Sequence, residues 1–533
     1  MNRELSAFVF VVALAVAGNV NAELRLPAII SDHGMLQGDK PIAIWGWATP
    51  GATVKATFEY LNHEPSGRFT TIVDSSGKWV GFLPPLKDGT TGSLDVVSNH
   101  DGNKTVNDLL VGEVWLGGGQ SNMQYPIGGS GFIDLDNPDE VKAVKQNIAI
   151  AKLEAVAARP PIRYFKMPGN HSEQVLDDVK GQWLLADANN VETFSAVAWN
   201  FAVALQNKLH QPIGLIVSSI GGTTAQAWMS REALEATSVG AAIEQRHREH
   251  LAAEAPGAEA KYQVELKAWQ SANPTPELEF KNRNAKPKPP YSLSVSAMPL
   301  IFYNAMLHGL EPYTLRGIIW FQADGNIAYP LEYSELFLAL IREWRAEWHE
   351  QLPFYFVEMN NMNEDKQTKP VEANNLSILR EQQHAALQLP GVGMVTAVDL
   401  GTKNAHFPNK KPVGERLANL ALHESYGLPG QPNSPMFQAY SIQGNKIRLK
   451  FSDSEGLRVR GGGQPTGYAI RGADSDWVWA AGKIECKEIV LWSNQVASPV
   501  AVRYAWASNP VISIENGEGL PLYPFRTDNN SPR

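Results

Sequence analysis

The sequence predicts an α/β protein with a mostly parallel central sheet and further β units before and after it in the chain. Between about residues 109 and 430, apolar strand-like runs alternate with segments of helical periodicity. Short segments of period-two alternation, separated by turn residues, precede and follow this region. The chain has 533 residues, of which 44% are hydrophobic and 19% charged, so we expect it to divide into two to four domains.

Residues 23–108 are expected to form an N-terminal β-sandwich domain. The alternating segments Ile42–Trp47 and Thr53–Phe58 are separated by Pro50-Gly51, and Ser75-Ser76-Gly77 marks a further turn. Short alternating strands with turn residues about every ten positions are typical of a β-sandwich.

Residues 109–430 are expected to form the α/β domain. The apolar runs that predict its strands are Ile162–Met167, Ile213–Ser219, Leu315–Phe321, Phe354–Val357 and Gly393–Val398. A helix is predicted by the spacing of Tyr333, Leu336, Phe337, Leu340, Ile341 and Trp344. Because ligands gather beyond the carboxyl ends of the strands in such sheets, the segments after these runs are candidates for a functional site.

Two further regions complete the predicted organisation. A charged, helix-like stretch from about residue 231 to 292 ends in the proline-rich segment Asn284–Pro290, which indicates an insertion followed by a stiff linker. Residues 431–533 are expected to form a C-terminal β domain. Its β-like runs are Lys446–Phe451, Ile489–Trp492 and Ala501–Trp506.

Residues 1–22 have the features of a signal peptide. Arg3 precedes an apolar stretch from Ala7 to Ala17, and Val20-Asn21-Ala22 supplies small residues at a cleavage site. The stretch is too short to span a bilayer comfortably, so we expect export to the periplasm or outside the cell, without stable membrane insertion. The lone Cys486 has no partner within the chain for a disulfide.

The charge of the chain argues against a nucleic-acid partner. The formal net charge is −9, and no block of Lys and Arg interleaves with aromatic residues. His247 and His250 are at helical spacing, but with no third ligand nearby they favour a solvated helix face over a zinc site.

Ser121 is the first candidate for chemistry. It lies in the segment Trp115-Leu116-Gly117-Gly118-Gly119-Gln120-Ser121-Asn122-Met123, directly after an apolar run. Glycines at a strand end let the backbone turn sharply and leave little bulk around a hydroxyl that must meet a substrate. On this segment alone, a nucleophile and a serine that caps the next helix are equally good interpretations.

Two later segments contain candidate stabilisers of negative charge. Gly221-Gly222 follows a strand and precedes a predicted helix start, where exposed N–H groups bind an oxyanion or simply form a tight turn. Gln322 and Asn326 lie after another strand and carry amide donors that either face a developing charge or make structural hydrogen bonds. Asp324, between them, orients a partner or caps the following turn.

His406 is the candidate general base. It lies in a loop after the strand that ends near Val398, and a helix predicted from Val413 to about His423 would hold that loop in place. A neutral imidazole near Ser121 would accept the proton that the serine cannot lose alone. Without the other segments, a surface histidine with no role is the simpler interpretation.

Together these motifs resemble the sialate O-acetylesterase family of SGNH hydrolases. They are Gly-Gln-Ser-Asn-Met after Gly-Glu-Val-Trp-Leu, Gly-Gly-Thr followed by Ala-Trp, Trp-Phe-Gln ending in Asn, and His-x-Pro-x-Lys before Val-Gly-Glu-Arg-Leu. The resemblance spans most of the chain after the leader and implies an SGNH-type sheet with helices on both faces. It also implies Ser121 as nucleophile, His406 as general base, and an oxyanion hole formed by the N–H groups of Ser121 and Gly222 with an amide of Gln322 or Asn326.

The chain departs from the family pattern at two places. Ala323-Asp324-Gly325 stands where the family usually has Gly-Glu-Ser, and Asn404 stands where members often carry an aspartate two residues before the histidine. The group that orients His406 is therefore Asp399, Asn404 or a backbone carbonyl, with Asp399 as the acid we assign.

The reaction that these parts imply is removal of O-acetyl groups from sugars through an acyl-enzyme, without a metal or other cofactor. The expected partner is an acetylated carbohydrate, and the sequence leaves the particular sugar and the oligomeric state open. The alternative is a carbohydrate-binding protein that kept the fold and lost turnover.

Overall fold

The computed structural model describes residues 23–60, 65–275, 278–279, 282, 285–291, 294–362, 365–371, 374–402 and 404–528. The predicted leader at residues 1–22 and Asn284 of the predicted linker lie outside the described residues.

The N-terminal part contains two sheets that meet through Trp79 and Phe69, whose ring centroids are 6.4 Å apart. One sheet contains β3, β4, β6 and β7, with β1 paired to β7, and the other contains β2 and β5. The strands are β1 (Met35–Gln37), β2 (Ile42–Trp47), β3 (Thr53–Tyr60), β4 (Pro65–Ile72), β5 (Lys78–Leu83), β6 (Thr91–Ser98) and β7 (Gly102–Gly119).

Strand β7 crosses the boundary that the sequence predicts at residue 109. Its first half pairs antiparallel with β6, and its second half, from Glu113 onward, lies between β10 and β11 of the central sheet. The apolar residues of both regions belong to one continuous core. The N-terminal part and the α/β part are therefore joined by a shared strand rather than by a linker.

The central sheet has the strand order β13-β12-β11-β7-β10-β8-β9. All neighbours in it are parallel except β8 and β9, which pair antiparallel at one edge. Its remaining strands are β8 (Ile162–Lys166), β9 (Gln182–Leu185), β10 (Ile213–Ser219), β11 (Gly317–Phe321), β12 (Phe354–Glu358) and β13 (Val392–Thr396). Each of the five predicted apolar runs thus overlaps a strand. The mostly parallel sheet places the ends of β7, β10 and β11 side by side.

Helices follow the strands of this sheet. They are α1 (Ser121–Gln124), α2 (Pro138–Ala157), α3 (Ala196–Leu209), α4 (Arg231–Glu235), α5 (Gly240–Ala252), α6 (Ala258–Ala272), α7 (Tyr333–Glu347), α8 (Asn375–Gln383) and α9 (Lys411–Glu424). The predicted helical spacing is confirmed in α7, since all six of the residues that predict it are buried. Helix α6, in the predicted insertion, buries none of its residues.

The C-terminal β strands surround a core of their own. They are β14 (Met436–Gln443), β15 (Lys446–Ser452), β16 (Arg458–Val459), β17 (Tyr468–Arg471), β18 (Val478–Trp479), β19 (Ala481–Glu485), β20 (Glu488–Trp492), β21 (Ala501–Tyr504), β22 (Ile514–Glu515) and β23 (Phe525–Arg526). Strand β21 stops before the end of the predicted run because Ala505 has a φ of 52°. Among the helices of the described residues, none is both long and apolar enough to cross a bilayer.

Candidate active site

Ser121 lies at the carboxyl end of the central strand β7. The strand ends at Gly119, whose φ is +134°, and a Cβ there would lie 2.3 Å from the Phe321 carbonyl oxygen. The Gln120 N–H donates to that same carbonyl at 3.0 Å, which joins the turn to the end of β11. Ser121 is then the first residue of α1 and is 5% exposed. Only glycine allows this close approach, so the sequence motif has a direct geometric reason.

The glycine turn after β10 lies against Ser121. A Cβ on Gly221 would be 3.4 Å from the Ser121 Cβ, and the Gly221 N–H donates to Gln124 Oε1 at 2.8 Å. Gly222 has a φ of +75°. Within the described residues, the N–H groups of Ser121 and Gly222 donate to no protein acceptor. Two free backbone donors therefore accompany the hydroxyl at this edge.

The amides of Gln322 and Asn326 are used to hold this turn. Gln322 Nε2 donates to the Thr223 carbonyl and to Asn326 Oδ1, both at 3.0 Å. Asn326 Oδ1 also accepts from the Ala225 N–H at 2.8 Å, and Asn326 Nδ2 donates to Gln226 Oε1 at 2.8 Å. These hydrogen bonds support the backbone that carries Gly222, and the assignment of either side chain as an oxyanion donor stays a prediction.

His406 lies in the loop before α9, and its backbone is fixed by Asn404. Asn404 Oδ1 accepts from the His406 N–H at 3.0 Å, while Asn404 Nδ2 donates to the Phe132 carbonyl at 3.3 Å and to Glu140 Oε2 at 3.2 Å. The His406 ring packs edge-on against Phe132, with centroids 5.0 Å apart. Burial, followed by the charge of Lys410, lowers the pKa of His406 to about 4. The imidazole is therefore neutral at physiological pH.

The side chain of Asn122 joins the two motifs. Its Nδ2 donates to the Ala405 carbonyl at 3.3 Å and to Asn360 Oδ1 at 3.2 Å. Asn360 Nδ2 also donates to the Ala405 carbonyl, at 3.3 Å. Because Asn122 follows Ser121 and Ala405 precedes His406, the fold brings the serine turn and the histidine loop to the same edge of the sheet.

Asp399 has different partners from those that the sequence predicts. Its Oδ1 and Oδ2 accept from Arg416 at 2.8 and 2.9 Å, and Oδ2 also accepts from Arg460 at 2.7 Å. The carboxylate is 1% exposed, and the hydrogen bonds and charges of the two arginines lower its pKa against the opposing effect of burial. The assignment of Asp399 as the acid that orients His406 is corrected by this pairing: it joins the α/β part to the C-terminal part.

Three residues near Ser121 have partners that the sequence does not predict, although each lies in one of the family motifs. Gln120 accepts from the Ala323 and Gly325 N–H groups, both at 3.2 Å, and donates to Asp324. Lys410 Nζ donates to Asn122 Oδ1, and Asn122 Nδ2 donates to the Ala405 carbonyl. Their positions in Gly-Gln-Ser-Asn-Met and His-x-Pro-x-Lys were the available signal, but nothing in the sequence indicated their partners.

Other candidate chemistry lies away from this edge. His247 and His250 lie on α5 and contact Tyr291, with His247 Nδ1 2.8 Å from the tyrosine hydroxyl. In the part of the chain that the structure describes, no group of three or more His, Cys, Asp or Glu side chains could hold a metal ion.

A serine at the end of a parallel strand, beside free N–H groups and a neutral histidine loop, is the arrangement of a serine hydrolase. The sialic acid-specific acetylesterase family of carbohydrate esterases matches residues 290–423, which include His406. The chain is 31% identical to a carbohydrate acetylesterase from Xanthomonas citri, covering 95% of this chain and 100% of that one with a TM-score of 0.75.

Mammalian relatives extend this similarity. The chain is 27% identical to sialate O-acetylesterase from Rattus norvegicus, over 95% of this chain and 94% of the rat protein. It is 26% identical to sialate O-acetylesterase from Homo sapiens, over 75% and 69% of the two chains. The protein belongs to the family of sialate O-acetylesterases and related carbohydrate acetylesterases, and it is a carboxylic ester hydrolase that removes O-acetyl groups from sugars.

Proposed function

We propose that Ser121 is the nucleophile and His406 the general base of this acetylesterase. The observation that carries the proposal is the hydrogen bond from Asn122 Nδ2 to the Ala405 carbonyl, which joins the residues next to both side chains. Ser121 follows a turn that only glycine allows, and the neutral state of His406 leaves a ring nitrogen free to accept a proton.

The reaction then proceeds in two balanced halves. His406 takes the proton of the Ser121 hydroxyl as the serine oxygen attacks the acetyl carbonyl carbon. The π electrons of the carbonyl bond move onto the carbonyl oxygen, which becomes the oxyanion. When the tetrahedral intermediate collapses, the bond to the sugar oxygen breaks and His406 gives its proton to that oxygen. A water molecule repeats these steps on the acetyl-serine, which releases acetate and returns the proton to Ser121.

We assign stabilisation of the oxyanion to backbone rather than side-chain donors. The N–H groups of Ser121 and Gly222 have no acceptor in the part of the chain that the structure describes, and Gly222 has no side chain to obstruct a carbonyl oxygen. Gln322 and Asn326 act one step further away, by fixing the loop of Thr223 and Ala225. An oxyanion donor is worth about 3 kcal/mol in the transition state, so even a small displacement of this loop is costly.

A matched pair of variants tests the nucleophile. Ser121→Ala should abolish acetate release from acetylated sugars, whereas Ser219→Ala should leave it within about twofold, since Ser219 lies at the end of the neighbouring strand in register with Gly119. Equal turnover by wild type and Ser121→Ala refutes the proposal. Binding of glycans without any hydrolysis by the wild type would instead favour the carbohydrate-binding alternative.

The same proposal extends to architecture and location. We propose that the central sheet, with helices on both of its faces, forms an SGNH-type unit that shares β7 with the N-terminal β part and is followed by a C-terminal β domain at residues 431–533. We also propose that residues 1–22 direct export and are removed, because the charged start, apolar stretch and small residues have the order of a signal peptide. Sequencing the N-terminus of the protein recovered from cell fractions tests this, and an intact Met1 in the cytoplasmic fraction alone contradicts it.

A further inference from the structure

Lys410 is buried beside the candidate site without a carboxylate partner. It is 1% exposed, and among the described residues it forms no ion pair. Its Nζ donates to Asn122 Oδ1 and lies 3.5 Å from the ring centroid of Phe407 and 5.0 Å from that of Tyr125. The aromatic faces attract the ammonium group, but its removal from water disfavours the charged form, and burial lowers the pKa of Lys410 well below the ordinary value. A side chain that only filled this space would be apolar.

The hydrogen bond to Asn122 fixes which way that amide faces. A lysine ammonium donates but cannot accept, so it selects the oxygen of the Asn122 side chain. The amide nitrogen must then point to the opposite side, where it donates to the Ala405 carbonyl at 3.3 Å and to Asn360 Oδ1 at 3.2 Å. With the amide reversed, a nitrogen would face the ammonium and an oxygen would face the Ala405 carbonyl.

We infer that Lys410 is a positioning residue of the active site, which orients Asn122 so that this amide fastens the Ser121 turn to the His406 loop. The inference rests on the proposed roles of Ser121 and His406. It assigns Lys410 no contact with substrate: its effect reaches the reacting groups through Asn122 and through its positive charge.

The charge of Lys410 gives the inference a second consequence. After burial, Lys410 is the other cause of the lowered pKa of His406. Among the described residues, the other charged or titratable groups near this pair include Glu140, bonded to Asn404, and Tyr125. Lys411 is next to Lys410 in the chain, and its Nζ lies 3.6 Å from Glu154 Oε1 and 3.9 Å from Glu415 Oε1. Replacing Lys410 by a neutral residue should therefore raise the pKa of His406, whereas replacing the neighbouring Lys411 should not.

The kinetics of Lys410→Met, with Lys411→Met as the matched control, test whether Lys410 orients Asn122. On p-nitrophenyl acetate, Lys410→Met should lower kcat by about 10- to 100-fold with KM changed by less than about twofold, because only the alignment of the reacting groups is lost. Lys411→Met should retain wild-type kcat. Asn122→Leu should resemble Lys410→Met, and the double variant should be no slower than the slower single variant, since both changes remove one link. Additive losses in kcat overturn the inference.

An NMR titration of the His406 ring tests, without requiring turnover, whether the charge of Lys410 lowers the pKa of His406. The His406 signal is assigned by its loss in His406→Asn, and its pKa should rise in Lys410→Met while staying unchanged in Lys411→Met. An unchanged His406 pKa in folded Lys410→Met overturns the inference, whereas equal esterase rates for wild type and Ser121→Ala refute only the proposed function. If Lys410→Met does not fold, Asn122→Asp provides the test, because it keeps an oxygen for Lys410 and removes the donor to Ala405. This variant should fold and lose kcat to a similar extent. Full kcat in Asn122→Asp overturns the inference.

Discussion

Acidification of the enzyme provides the most direct test of the buried histidine. A general base with the ordinary histidine pKa of about 6.5 would be only about one-tenth neutral at pH ~5.5. The pKa of His406, lowered to about 4 by burial and then by Lys410, leaves roughly nine-tenths or more of it neutral at that pH. We therefore expect kcat/KM to stay within about 1.5-fold between pH ~7.5 and pH ~5.5, where an ordinary base would lose about tenfold.

The assay must separate loss of the base from loss of the fold. Because the pKa of His406 is lower in the folded state, the unfolded chain binds more protons between the two pKa values. The contribution of this group to the free energy of unfolding is full above pH ~6.5 and is lost as the pH falls toward about 4. Acetate release should be followed directly, with far-ultraviolet circular dichroism at each pH to count folded protein.

A decrease of kcat/KM with a midpoint near pH ~6.5, in protein that remains folded, would refute the claim that burial lowers the pKa of His406. Retained activity at pH ~5.5 that persists in His406→Asn would instead remove His406 from the reaction. The two outcomes separate an error in the environment of the ring from an error in its role.

Three further outcomes are expected. Glu311→Gln should raise the free energy of unfolding at pH ~8 by on the order of 2 kcal/mol. Burial and neighbouring Glu347 raise the pKa of Glu311 to about 10, so the stability that the protonated form contributes is lost as the pH rises from about 4.5 toward 10. Equal chemical denaturation curves for the variant and wild type at pH ~8 would contradict this prediction. Gly119→Ala should destabilise the fold by about 1–3 kcal/mol and lower turnover, because its methyl group would clash with the Phe321 carbonyl. A thermal midpoint equal to that of wild type would show that the turn can relax. Asp399→Asn should lower the thermal midpoint while kcat of the folded protein stays within about tenfold, because its two arginines lose a buried carboxylate; a loss of about ten-thousandfold would restore Asp399 as the acid that orients the imidazole.

The sequence predicts local features of this fold well. The apolar runs overlap β8, β10, β11, β12 and β13 because a strand buried on both faces must be apolar along its length. Ser121 and His406 both follow strands of the sheet, and the carboxyl ends of parallel strands share an edge. These inferences need only short-range pattern and the general geometry of a parallel sheet.

Side-chain partners could not be predicted in the same way. Gln322 carries a donor and an acceptor wherever it lies, and only the path of the loop decides that its nitrogen faces the Thr223 carbonyl. Asp399 lies seven positions before His406, yet its oxygens bind one arginine from α9 and another, Arg460, from the C-terminal part. Sequence proximity therefore favoured the wrong partner, because the packing of a distant domain determines the right one.

Strand β7 has a consequence for how this protein can be divided or recombined. The strand that carries Ser121 at one end is the same strand that completes the N-terminal sheet at the other. A cut at residue 109 would split an 18-residue strand and separate β1 from its parallel partners at residues 110–112. The N-terminal unit is thus not an interchangeable module, and gene fusions that preserve its folding should join upstream of β1 rather than at the apparent border.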